Sequence, residues 1–148
     1  MFRNIKKVDE LGRPIKGSLK VWKKNHPHKL YFDSKVEWEV WLLFRKEKVK
    51  FDMQTNVTLV DGTTTEEFKK GFIKTTKQQA ITYTPDYYLT DYDVYIEVKG
   101  FATPEFRLRW KLFKLKGYRG FIVKSKDEAK TILNILKNES LHTKRLNK

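Results

Sequence analysis

The chain has no cysteine among its 148 residues, which excludes disulfides, thiolate zinc sites and cysteine nucleophiles together. A reducing cytoplasm is compatible with that. Histidine is scarce too: there are three, at positions 26, 28 and 142, and none has the His-Glu-x-x-His spacing of a metal helix. His26 and His28 flank Pro27 in a basic stretch, where solvation or phosphate contact is expected rather than metal ligation. Glycine is sparse, and no Gly-x-x-x-x-Gly-Lys-Ser/Thr loop occurs, so nucleotide hydrolysis has no support. No apolar run approaches the roughly 20 residues a membrane-spanning helix needs. The start, Met1-Phe2-Arg3-Asn4-Ile5-Lys6-Lys7, has no apolar h-region after it, so no secretory signal is expected. Acid is also in the minority, with 18 Asp and Glu against 32 Lys and Arg and a formal charge of +14. A polyanion is the expected partner. Nucleic acid is favoured over membrane, because the basic residues are spread through a chain that is 14% aromatic.

This length predicts one α/β domain with a real core. Met1 to about Leu30 reads as a basic N-terminal arm, flexible or a β-hairpin, with a turn at Glu10-Leu11-Gly12-Arg13-Pro14. Lys6, Lys7, Lys16, Lys20, Lys23 and Lys24 there are set to track phosphates or to form a solvated surface. Residues 31–137 form the expected core. Within it, Asn56 to Val60 alternates like a strand and ends on the turn signal Asp61-Gly62. The Thr-rich segment that follows reads as a loop or short helical excursion, and Phe72 to Ala80 feeds the next strand. Thr103 to Lys116 predicts a helix with Phe106, Trp110 and Phe113 as an apolar stripe. Phe121-Ile122-Val123 is a buried-strand pattern. Ser125 caps a last helix through about Leu136, and 138–148 reads as a flexible basic tail.

The most informative feature is Tyr83-Thr84-Pro85-Asp86 followed by Ile96-Glu97-Val98-Lys99-Gly100. The midpoint between Asp86 and Glu97 falls between Asp91 and Tyr92, inside a polar turn. An antiparallel hairpin of Tyr83 to Leu89 with Val94 to Lys99 therefore sets Asp86 opposite Glu97. Side chains alternate along a strand, so Glu97 and Lys99 share a face. Two carboxylates and an ammonium converge on one spot, which suits Mg²⁺ and phosphodiester hydrolysis.

A second acid-bearing element is the amphipathic helix opening at Phe32-Asp33-Ser34-Lys35-Val36-Glu37 and running to about Val49, with Val36, Val40, Leu43 and Phe44 spaced three or four apart. Two readings of Glu37 stand. Ser34 and Glu37 match a capping box, and Glu37 in the first turn can equally complete the acidic cluster. Glu39 competes for that second role but lies roughly 200° around the helix from Glu37.

Taken together, the segments Phe32 to Glu37, Tyr83 to Tyr87, Ile96 to Gly100 and Thr103 to Phe113 resemble the PD-(D/E)xK nuclease superfamily. Within it the chain looks most like small phage-encoded endonucleases, including Holliday-junction resolvases of the endonuclease I type. The resemblance runs from about Tyr31 to Lys124. It implies a restriction-endonuclease-like core, a central mixed β-sheet flanked by helices, with Glu37, Asp86, Glu97 and Lys99 at the catalytic positions. Asp86, Glu97 and Glu37 would hold Mg²⁺, or Mn²⁺ in its place. Lys23, Lys24, Lys35, Arg107, Arg109, Lys111 and Lys114 are the expected contacts to DNA, with RNA as the other nucleic acid. The resemblance further implies a branched or junction substrate, recombination or replication as the setting, a homodimer, and the bacterial host cytoplasm for a phage-encoded protein. The competing expectation is a non-catalytic nucleic-acid-binding module built on a nuclease core.

Overall fold

The structure, a computed structural model, describes residues 7–146. In chain order these form β1 (Val8–Asp9), α1 (Leu19–Asn25), β2 (Tyr31–Phe32), α2 (Lys35–Lys46), β3 (Phe51–Met53), β4 (Val57–Val60), β5 (Thr63–Lys69), β6 (Phe72–Gln78), β7 (Ile81–Tyr83), β8 (Tyr87–Leu89), β9 (Val94–Val98), α3 (Pro104–Leu115), β10 (Gly120–Val123) and α4 (Lys126–Leu146). The architecture is α/β, with mixed and antiparallel sheets flanked by helices. The chain divides into two units, Met1–Phe51 with Ile122–Lys148 and Asp52–Phe121.

In the first unit, the Ser34 hydroxyl accepts the Glu37 backbone N–H at 3.2 Å. That satisfies one of the amides every helix start leaves unbonded. The apolar stripe of α2 buries Val40, Trp41, Leu43 and Phe44, and α2 packs on α4, which buries Ala129, Leu133 and Leu136. The helix stops at Lys46, short of Val49, because Lys48 adopts a left-handed φ of 53° and closes its C-terminus. The last helix runs to Leu146 rather than ending near Leu136. An ion pair from Lys137 to Glu47 at 3.1 Å ties α4 to the end of α2 just past Leu136.

Residues 7–29 are tied down, at variance with a flexible arm. β1 pairs antiparallel with β2, and Val8 bridges Pro14 across a turn. Asp9 holds that turn by accepting the N–H groups of Leu11 and Arg13, each at 2.9 Å. Gly12 is required there: its φ is +77°, and a Cβ would lie 2.6 Å from the Trp38 ring. The short helix α1 is an addition to the sequence expectation; with only Leu19 and Trp22 three apart on it, there is too little period to detect. Lys6 lies outside the described residues.

The second unit holds β8 and β9 as an antiparallel hairpin, in a sheet of order β10-β9-β8-β3. Two paired ladders, β4 with β7 and β5 with β6, complete it. The expected single strand from Tyr83 to Leu89 is two strands. β7 pairs with β4, β8 pairs with β9, and Thr84-Pro85-Asp86 divides them. Proline has no N–H to give a ladder, so the break falls where pairing has to change. Helix α3 starts at Thr103, whose hydroxyl accepts the Phe106 N–H at 3.1 Å. It packs on β4 and β7 through an aromatic core of Tyr83, Tyr95, Phe106 and Phe113, with Trp110 and Tyr118 against it.

Candidate active site

Register places the two acids. Tyr87 faces Ile96, Tyr88 faces Tyr95 and Leu89 faces Val94, so the next pair along the same ladder is Asp86 with Glu97. The side chains confirm the juxtaposition. Asp86 Oδ2 accepts the Val98 N–H at 2.8 Å, and Glu97 Oε2 accepts the Asp86 N–H at 3.2 Å. The turn is secured by Asp93, at φ 52°, whose carboxylate accepts the Tyr88 hydroxyl at 2.9 Å.

Strand β9 is buried on both faces, so Glu97 is only 6% exposed and Asp86 8%. Burial first, and the Asp86 charge second, push the Glu97 carboxyl up to about 7. Three neighbours work in the opposite sense: the Tyr83 hydroxyl, the Lys99 ammonium and the Asp86 N–H. The Lys99 Nζ lies 4.0 Å from Glu97 Oε1, beyond hydrogen-bond reach, and 4.5 Å from the centroid of the Phe106 ring. The two buried carboxylates face each other, with the Lys99 ammonium near Glu97. Their oxygens are hard donors, and Mg²⁺ takes one or two carboxylates of this kind while keeping several waters. Asp86 and Glu97 fit such a cation.

Tyr83 is the residue the sequence reading left without a role. Its hydroxyl donates to Glu97 Oε2 at 2.7 Å inside the core. Burial and the Glu97 charge hold that hydroxyl protonated, well above its ordinary value. The signal was present in Tyr83-Thr84-Pro85-Asp86: proline breaks the strand just after Tyr83, so a side chain on one ladder can cap a carboxylate on the next.

Glu37 belongs to the other unit, in the first turn of α2, and is buried there at 5% exposure. Its neighbour Glu39 is half-buried on the helix face that lines a cavity with Trp38 and Leu42. Among the described residues no three His, Cys, Asp or Glu side chains gather as a metal-type cluster. What the structure brings together is therefore Asp86, Glu97, Lys99 and Tyr83.

The expected nucleic-acid contacts divide similarly. Lys23, Lys24 and Lys35 are exposed in the first unit, although Lys23 sits over the Tyr31 ring at 4.6 Å. On α3, Arg107 and Lys111 are exposed, whereas Arg109 is paired with Glu105 and Lys114 donates to the Gly120 carbonyl at 3.1 Å. His26 stacks on Trp22 with centroids 4.8 Å apart and bonds the Trp22 carbonyl at 3.0 Å, a local structural role.

A family model described as "Protein of unknown function (DUF1064)" matches residues 20–132. No curated protein and no solved structure matches the chain.

Proposed function

We propose that this chain, which belongs to the DUF1064 family, is a metal-dependent endonuclease that hydrolyses phosphodiester bonds in DNA. The observation that carries the reading is the buried Asp86–Glu97 pair, with Lys99 at its edge. A divalent cation there would supply Lewis acidity toward a phosphoryl oxygen and a more acidic bound water. The chain's own residues do the rest. Asp86 and Glu97 offer the oxygens, Asp86 held by the Val98 N–H and Glu97 by Tyr83 and the Asp86 N–H. Lys99, about a third exposed, offsets charge as it builds on the phosphate or orients the attacking water. The sequence resemblance alone puts Glu37 forward as a further acid.

The sequence resemblance is the support for a branched or junction substrate and for a homodimer, since symmetric resolution of a junction needs two sites. The test is direct. Purified protein is incubated with linear duplex, single-stranded and four-way-junction DNA and with RNA, in Mg²⁺ or EDTA, beside Lys99→Ala and Asp86→Ala. Metal-dependent nicking of junction DNA, lost in both variants, is expected. Cleavage that persists unchanged in both would overturn the site assignment. A nuclease-shaped binding module is the second reading, favoured by the formal charge of +14, which gives affinity for a polyanion without any chemistry. It predicts tight DNA binding with no scission.

A further inference from the structure

The most conspicuous part of the second unit with no role in the site is the β5–β6 ribbon. Its ladder runs unbroken from Thr63↔Gln78 to Lys69↔Phe72 and closes in two residues, Lys70 and Gly71, at φ 52° and 82°. Those angles make a type I′ turn, which matches the twist of a hairpin. Near that turn the ribbon carries three large apolar side chains that no core uses: Phe68 is 75% exposed, Phe72 68% and Ile73 71%. Phe68 and Ile73 face each other across one side of the ribbon, and Phe72 pairs with Lys69 on the other. Lys70 and Lys74 lie beside them, as does Lys69, which is ion-paired to Glu67 at 3.2 Å.

The ribbon also has a fixed origin. Val60↔Ile81 in the β4–β7 ladder and Thr63↔Gln78 in β5–β6 keep one register. Gly62 permits the close passage between them, since a Cβ there would lie 2.8 Å from the Gln78 carbonyl oxygen. The arm is therefore rooted in the strand that ends at Tyr83, the residue bonded to Glu97. At about 3.3 Å per residue, Phe72 lies up to roughly 35 Å along the strand from Tyr83, about one turn of B-form DNA.

Apolar side chains beside cations select among partners. A second copy of a chain with a formal charge of +14 would meet its own repulsion, and three exposed apolar residues make a small membrane anchor. A duplex offers phosphates for the cations and base steps for an apolar wedge. We propose that the β5–β6 ribbon grips duplex DNA about one helical turn from the cleavage site, with Phe68, Phe72 and Ile73 wedged against the base stack and Lys70 and Lys74 on the flanking phosphates. The nuclease reading enters this only through the position of the scissile bond.

The experiment compares the full chain with F68S/F72S/I73S, with K70A/K74A, and with a shortened ribbon lacking 66–69 and 72–75. The last deletion removes residues paired with each other and keeps the turn, so the remaining ladder stays in register. Affinity is read by fluorescence anisotropy in EDTA on duplexes of about one turn and about three turns, and cleavage is read separately in Mg²⁺. The full chain is expected to bind the longer duplex at least about tenfold more tightly than the short one, and the apolar and shortened variants to lose that preference. The lysine variant is expected to lower the log-log salt slope by about 2. Affinities equal to the full chain's in all three variants would overturn the proposal. So would variants that lose self-association while keeping DNA affinity, which would make a second copy the occupant. If the full chain binds but never cleaves, while the variants still bind tenfold more weakly, the nuclease reading fails and the ribbon stands.

Discussion

A carboxylate enclosed on both faces of a sheet needs a positive neighbour, and Glu97 has one at 4.0 Å. Because its folded value lies at about 7, above an ordinary 4.5, the native state binds this proton more tightly than the unfolded chain does. Its contribution is therefore fully present below about 4.5 and lost as pH rises to about 7. Glu97→Gln keeps an oxygen for Tyr83 and the Asp86 N–H without the charge. In EDTA it should leave stability nearly unchanged at pH 4.5 and raise it by about 1–3 kcal/mol at pH 8. Thermal melts at the two pH values check this; an equal gap at both would mean that burial does not hold the proton on Glu97. A cation competes with that same proton, so Mg²⁺ affinity should fall about tenfold per pH unit below 7. Tyr83→Phe removes a hydroxyl that lowers the Glu97 value. It should slow cleavage by about 10- to 100-fold, as loss of a ligand-orienting hydrogen bond does, and move the acid limb of the pH–rate profile upward. A slower reaction with an unmoved limb would leave Tyr83 with a packing role alone.

Elements differ in how openly they announce themselves. The β8–β9 hairpin was legible because strand period and turn position together fix a register, and the Asp86–Glu97 pairing counted from the turn continues the observed ladder. Helix α2 was legible from Ser34 and its apolar spacing, and α3 from its aromatic stripe. The ribbon was not: Thr63-Thr64-Thr65-Glu66-Glu67 alternates no apolar residue with a polar one, because neither face is buried, and burial is what writes period two into a sequence. Asp61-Gly62 misled in the same region. It marks the junction between two collinear ladders, and the turn itself is Lys70-Gly71. Glu37 remains the residue with two readings, and α2 supplies the means to separate them. Ser34→Ala removes the observed cap and should cost about 1 kcal/mol of stability with cleavage unchanged. Glu37→Gln keeps the side chain's shape and drops the charge. On the proposed reading it lowers cleavage at least about tenfold while Tm barely moves, and cleavage equal to the parent's would leave Glu37 as helix structure only.

For the whole molecule the governing quantity is charge, +14 over 148 residues. Charge alone gives affinity for any polyanion, and specificity has to come from a site. The two can be separated by salt. Each phosphate neutralised contributes about 0.9 to the log-log slope of affinity against salt on a duplex. Arg107 and Lys111 are exposed on α3, whereas Arg109 and Lys114 are already engaged by Glu105 and by the Gly120 carbonyl. Arg107→Ala and Lys111→Ala should therefore each lower the slope by about 0.9 and weaken binding on every duplex alike. Lys114→Ala should leave the slope unchanged and lower thermal stability instead. The reverse pattern, a slope that responds to Lys114 and ignores Arg107 and Lys111, would place the DNA on another face of the unit. Asp86→Ala gives the internal control: removing a buried negative charge at the cleavage site should abolish metal-dependent scission while duplex affinity in EDTA holds or rises. A net charge this high makes binding easy to observe and uninformative by itself, so the pairing of an unchanged affinity with a lost reaction is what distinguishes a nuclease from a basic protein that adheres to DNA.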